Sequence, residues 1–182
     1  MIHEKIRVIR EYLNLTSTQV ATLIKVNVYL YRKYEKGTME PTMDLIVLLS
    51  IAYAIPIDSL FCNEENPLWY TDEPGIRALR SLPQKERLPK MQENLCKKCS
   101  FVSQRVNYRV ISDICRQMRA AMADRLKTFR ESRGIDIDSA AKIICLDNID
   151  YLSLEKGAGF PLVSQTVKMA RFYDVAIRSF IE

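Results

Sequence analysis

The sequence predicts an all-α protein in which two five-helix domains are joined by a helical middle segment. Two observations carry that expectation. Apolar residues recur at helical spacing through both ends of the chain, with helix-ending residues between the runs. The word YEKGTMEP at 34–41 also returns as LEKGAGFP at 154–161.

The flanks of that repeated word agree as well. Sliding residues 126–181 under 6–61 needs no gap, and thirteen of the 56 aligned positions are identical. They include Arg10 with Arg130, Glu11 with Glu131, Ala21 with Ala141, Ile24 with Ile144 and Tyr31 with Tyr151. The Glu-Lys-Gly triplet, Pro41 with Pro161, Val47 with Val167, Tyr53 with Tyr173, Ile57 with Ile177 and Ser59 with Ser179 complete them. An ungapped register that keeps the same Gly and Pro reads as one domain present twice.

In the first copy, Ile2, Ile6, Ile9 and Leu13 form one apolar stripe, ended by Asn14. Thr16 and Gln19 make a capping box, since hydroxyl and amide can each satisfy the other's orphan backbone N–H. A second helix runs through Val20, Ala21, Leu23 and Ile24, and Lys25-Val26-Asn27 is a tight turn. Asn27 caps a third helix expected to end at Lys36, and Gly37 follows where a left-handed residue is wanted. Pro41-Thr42 opens a fourth helix and Pro56 a short fifth.

Composition bounds what such domains can be. The chain has 182 residues, 48% hydrophobic and 27% charged, which suits one or two globular domains. The longest apolar run, LIVLLSIAYAIPI (45–57), is too short for a bilayer and contains a proline. Acid and base within the first five residues give no secretory signal, and five cysteines, an odd number, do not make a disulfide framework. A cytoplasmic location without membrane attachment is therefore expected. The net charge of +5 is uneven: residues 1–61 contribute +1, residues 62–119 contribute +4 and residues 120–182 contribute nothing. That excess permits nucleic-acid binding without demonstrating it.

Five short helices with a tight turn between the second and third describe a helix-turn-helix domain. Residues 4–62, with LTxxxxA, the Val-Asn turn, YEKG, the following proline and the closing SLF, resemble the Cro/C1-type (XRE, lambda-repressor-like) helix-turn-helix family. That resemblance implies a DNA-binding transcriptional regulator, a repressor, whose third helix enters the major groove of double-stranded DNA while the second crosses the backbone. It puts Val28, Tyr29, Arg32 and Lys33 at base edges, and Ser17, Lys36 and Thr38 at phosphates. It also implies that Arg10 pairs with Glu35, and Arg130 with Glu155, as scaffold.

The second copy departs from that pattern. Where the first has Val28, Tyr29, Arg32 and Lys33, it has Asn148, Ile149, Leu152 and Ser153, with Asp150 beside them. Loss of cations removes the main source of DNA affinity. Ile149 and Leu152, three apart, point to a protein interface, and with it a homodimer. A weakly basic second DNA module is the other reading of this copy. For the whole chain the alternative is a protein-interaction module of antitoxin or anti-repressor type.

The expected division is a DNA-binding domain at 1–66, a helical linker or dimerisation segment at 67–119 and a degenerate copy at 120–182. Within the middle, Pro83 and Pro89 are expected to interrupt the helical rhythm, and a longer helix is expected to begin near Val102 and run on into the second copy. Cys96-Lys97-Lys98-Cys99 is the one chemical-looking motif. A structural zinc needs four ligands, whereas Cys62, Cys115, Cys145 and His3 are scattered, so neither a metal nor another cofactor is expected. One histidine, no Gly-rich phosphate loop and no acid/base constellation leave no case for an enzyme.

Overall fold

The computed structural model describes residues 1–61 and 68–181; Cys62 and the expected boundary after residue 66 lie outside the described residues. Among these, regular structure is helical throughout, with one isolated bridge. The chain divides into two compact units, residues 1–40 with 45–114, and residues 41–44 with 115–182.

The first unit begins with α1 (Ile2–Tyr12), α2 (Ser17–Leu23), α3 (Val28–Glu35) and α4 (Met43–Tyr53), then a 3₁₀ turn at Ile57–Leu60. Local chemistry sets the boundaries. Thr16 Oγ1 accepts from the Gln19 N–H at 3.1 Å, and Gln19 Oε1 accepts from the Thr16 N–H at 2.8 Å, a closed capping box. Asn27 Oδ1 accepts from the N–H groups of Tyr29 and Leu30 at 2.8 and 3.4 Å, fixing the start of α3. The third helix ends at Glu35 with Lys36 as its cap, one residue sooner than expected. Gly37 follows at φ +69°, where a Cβ would also lie 3.0 Å from the His3 ring. Ile6, Ile9, Leu13, Val20, Ile24, Tyr31, Ile46, Leu49, Tyr53 and Leu60 form the core.

The middle segment belongs to this same unit. α5 (Pro74–Ser81) and α6 (Gln84–Lys97) are separated at Pro83, before which Leu82 is extended, as a residue preceding proline must be. Pro89, expected to break the rhythm, lies inside α6. A proline inside a helix costs about 3 kcal/mol; burial of Met91 and Leu95 along the same helix offsets it. The buried Arg87 donates to the carbonyls of Leu13, Leu82 and Arg80 at 2.7, 3.1 and 3.1 Å. Gln84 donates to the Asn14 carbonyl and Asn94 to that of Ala52, each at 3.0 Å. α5 approaches α4 so closely that a Cβ at Gly75 would lie 2.0 Å from the Ala54 carbonyl oxygen.

α7 (Tyr108–Ser132) starts six residues beyond Val102, which is 98% exposed. Asn107 caps it, accepting from the Val110 N–H at 3.0 Å.

In the second unit α8 (Ile137–Ile143), α9 (Asn148–Glu155), α10 (Val163–Tyr173) and a 3₁₀ turn at Ile177–Phe180 follow the end of α7. Every one of these boundaries is the boundary of α2, α3, α4 or the first 3₁₀ turn shifted by 120 positions. The backbone specials obey the same shift: positive φ at Asn14, Lys25, Gly37 and Ala54 returns at Gly134, Cys145, Gly157 and Asp174. Asp136 and Asp147 cap α8 and α9, each accepting at 2.7 Å from an N–H three residues on. Residues 41–44 join this unit through the Thr42–Leu162 bridge, where the Met43 N–H donates to Pro161 O at 3.0 Å and the Val163 N–H to Pro41 O at 3.2 Å. Its core holds Met122, Leu126, Ile144, Tyr151, Met169 and Phe180, and Phe129 stacks on Tyr173 with centroids 5.6 Å apart.

Candidate nucleic-acid interface

α3 is fastened at its C-terminal end and free along one face. Glu35 is 4% exposed and accepts three hydrogen bonds: from Arg10 Nε at 2.6 Å, Arg10 Nη2 at 3.1 Å and Ser17 Oγ at 2.9 Å. Arg10 Nη1 donates to the Leu15 carbonyl at 2.8 Å. One carboxylate thereby ties α1, the α1–α2 turn and the start of α2 to α3. Partial burial works against the Arg10 charge, but the Glu35 hydrogen bonds and charge more than offset it, so the guanidinium's pKa is raised. Tyr31, fully buried, pins the inward face, and its phenol pKa is pushed up by burial.

The outward face carries the residues singled out from the sequence. Tyr29 is 66% exposed and Arg32 is exposed, whereas Val28 and Lys33 are half-buried. The Lys33 ammonium lies 4.6 Å from the centroid of the Tyr29 ring, a cation–π contact that holds it against the aromatic face. Lys36 and Thr38 are exposed just beyond the helix, with Thr38 Oγ1 donating to the Lys33 carbonyl at 3.2 Å. Ser17 is half-buried and its hydroxyl is engaged by Glu35, which leaves its backbone N–H, at the first position of α2, as the group a phosphate would meet.

In the second unit the fastening is kept and the face is not. Arg130 donates to Glu155 through Nε at 2.6 Å and Nη2 at 3.0 Å, and its Nη1 to the Ile135 carbonyl at 3.1 Å. Ile137 stands where Ser17 would be, a side chain that cannot donate to the carboxylate. On α9, Asn148, Ile149 and Asp150 are exposed, Ile149 at 78%, while Leu152 and Ser153 are half-buried. The nearby cation Lys142 is paired with Asp138, which also accepts from Asn148 at 3.2 Å.

The other motif of the sequence sits apart from α3. Cys96 and Cys99 are half-buried free thiols, and Cys99 Sγ donates to Asp113 Oδ2 at 3.4 Å. Burial pushes both thiol pKa values up. Among the described residues no three His, Cys, Asp or Glu side chains converge as a metal site, and no helix is long and apolar enough to cross a membrane. The Arg87 network escaped sequence reasoning: an arginine in LPQKERLP carries no local sign that it is buried.

The helix-turn-helix family model matches residues 6–60. The cryptic phage CTXphi transcriptional repressor RstR of Vibrio cholerae is 34% identical over 97 residues, covering 52% of this chain and 87% of that protein. Its namesake from Vibrio cholerae serotype O1 is 38% identical over 79 residues, covering 43% of this chain and 66% of that protein. No solved structure matches the chain. Both alignments with the repressors are longer than residues 6–60, so the likeness reaches beyond α1–α4 and the first 3₁₀ turn. The chain belongs to the XRE-type helix-turn-helix family of DNA-binding transcriptional regulators.

Proposed function

We infer that the chain is a sequence-specific repressor that reads the major groove with α3 and associates through its C-terminal unit as a homodimer. One observation carries the reading: two units with the same boundaries and the same arginine–glutamate fastening present opposite chemistry on the equivalent helix. α3 offers Tyr29, Arg32, Lys33 and Lys36; α9 offers Asn148, Ile149 and Asp150. Cations in that position release counterions from DNA and can pair with guanine O6 and N7. An acid and an exposed isoleucine do neither. The second unit is read as a duplicate that keeps the scaffold and has exchanged its DNA surface for a protein surface.

Specific base contacts come from Val28, Tyr29, Arg32 and Lys33, and phosphate contacts from Ser17, Lys36 and Thr38. The similarity to two phage repressors supports repression as the sign of regulation. A single module buries only about 600–1,000 Å² on DNA; pairing two chains doubles it, and half-sites should then lie about 10 base pairs apart or a multiple of that. Selection of binding sites from random duplexes tests the whole reading. A two-fold symmetric consensus whose affinity falls steeply with salt is expected, and recovery of no consensus would overturn it.

A further inference from the structure

A cleft of about 400 Å³ opens in the C-terminal unit between the middle of α7 and the end of α9. Arg119 and Lys127 line it from α7, and Lys156 lines it from the cap of α9. Arg116, Ala120 and Ala123 of α7 also line it. Two acids also border the space, Glu155 and Asp124. Both Glu155 oxygens are already held by Arg130, so that charge is matched and Asp124 is the remaining anion.

Arg119 is the residue that needs an explanation. Its Nε is buried and has no hydrogen-bond partner, and its guanidinium carbon lies 5.9 Å from the centroid of the Phe160 ring. Lys127 has an exposed partner in Glu131 at 4.0 Å, so the burden of an unmatched buried charge falls on Arg119. A buried donor without an acceptor is unfavourable, and a half-buried guanidinium without a counter-charge is more so. Lys156 alone could be understood as a cation at a helix C-terminus. That account does not reach Arg119 and Lys127, which stand on a different helix. A small open space bordered by a guanidinium fork and two ammonium groups suits a compact anion with several acceptor oxygens, which is the chemistry of a phosphate group.

We propose that Arg119, Lys127 and Lys156 form a phosphate-binding site in the C-terminal unit. The phosphate comes either from a small phosphorylated ligand or from the DNA backbone; the second source rests on the DNA binding proposed above and adds a backbone contact from α7 and the end of α9, apart from the Ile149 face read there as a protein surface.

Calorimetric titration of the full-length protein with inorganic pyrophosphate at low ionic strength gives the first arm. One saturable site per chain is expected, weakened at least tenfold by Arg119→Gln and by Lys156→Gln. The exposed Lys156 can be changed without disturbing the fold, so the test stands if the Arg119 variant fails to fold. Salt titration of DNA binding gives the second arm. Removal of the Lys156 charge lowers the slope of log affinity against log salt by about 1 if the backbone is the source, and leaves it unchanged if a small ligand is. Pyrophosphate binding that both variants leave untouched, or no saturable binding together with an unchanged slope, overturns the site. The pyrophosphate arm keeps its meaning even if the protein binds no DNA.

Discussion

Glu35 meets Arg10 through two hydrogen bonds, at 2.6 and 3.1 Å, and is buried to 4% exposure by the helices it joins. The pair lies at the C-terminal end of α3, and the same two-bond geometry links Arg130 to Glu155 at 2.6 and 3.0 Å. A feature that persists while the exposed face beside it changes belongs to the scaffold. Its energetic role follows from burial: an ion pair screened from water is weak as net stabilisation, yet removal of one partner strands the other.

Glu35→Ala should therefore lower the stability of the N-terminal unit by up to about 3–5 kcal/mol, because the half-buried Arg10 would keep only the Leu15 carbonyl and the exposed Glu11 carboxylate. Glu155→Ala should act on the C-terminal unit by the same route. Urea unfolding followed by circular dichroism checks both, and a change under about 1 kcal/mol in either would refute the scaffold role. DNA affinity lost in a Glu35 variant is to be attributed to unfolding before any contact is inferred.

Arg32→Ala is the complementary case. The side chain is exposed, so the variant should melt like the wild type while specific binding weakens by about 1–3 kcal/mol and preference relaxes at one base. Tyr29→Ala should weaken binding too, partly by releasing Lys33, whose ammonium rests 4.6 Å from the ring; such contacts contribute about 0.5–1 kcal/mol at exposed sites. Footprinting on a selected site reads both variants. Unchanged footprints for the pair would remove α3 from the interface.

The all-α class was legible because helix ends are written in short-range chemistry. Thr16 with Gln19 and Asn27 each act within three residues and cap the helices expected of them, and Asp136 and Asp147 cap α8 and α9 in the same way. What stayed hidden depends on distance along the chain. Arg87 reaches 74 positions back to Leu13, and no pattern around it distinguishes it from its exposed neighbours. Pro89 misled for a related reason: its local penalty is plain in the sequence, whereas the burial of Met91 and Leu95 that outweighs it is tertiary. The outward residues of α3 were legible through the family resemblance, and Tyr29 and Arg32 among them are exposed. The cleft around Arg119 could not, since Arg119 and Lys156 come from separate helices.

The proposed association through the second unit can be disrupted at one residue. Ile149 is 78% exposed on α9 and its change to Asp removes apolar area without touching the core. Light scattering of the full-length protein should show a dimer, twice 21.1 kDa, and Ile149→Asp should shift it toward the monomer. DNA affinity should fall with it, since two half-sites would no longer be engaged together. A wild-type protein that scatters as a monomer both free and on DNA would rule out the dimer.

The N-terminal unit runs on past the helices of the family match. Residues 1–66 contain every helix of the family match, but they omit the groups that α5 and α6 supply to it. Arg87 alone satisfies the Leu13 carbonyl at the end of α1, and Gln84 and Asn94 satisfy those of Asn14 and Ala52. Water can replace some of these bonds in a truncated chain, yet the apolar contacts of Ile76, Leu79, Met91 and Leu95 would be lost as well, at about 1.5–3 kcal/mol for each fully buried side chain. A fragment of residues 1–66 should accordingly be several kcal/mol less stable than one of residues 1–114. Within the full-length protein the same docking can be probed by one methyl group: Gly75→Ala would set a Cβ 2.0 Å from the Ala54 carbonyl oxygen, a distance only backbone movement can relieve. It should destabilise the N-terminal unit by more than 2 kcal/mol, where an alanine on an exposed helix face would be neutral or stabilising. Equal urea midpoints for the two fragments, together with a neutral Gly75→Ala, would mean that the middle segment contributes nothing to the fold of the reader domain.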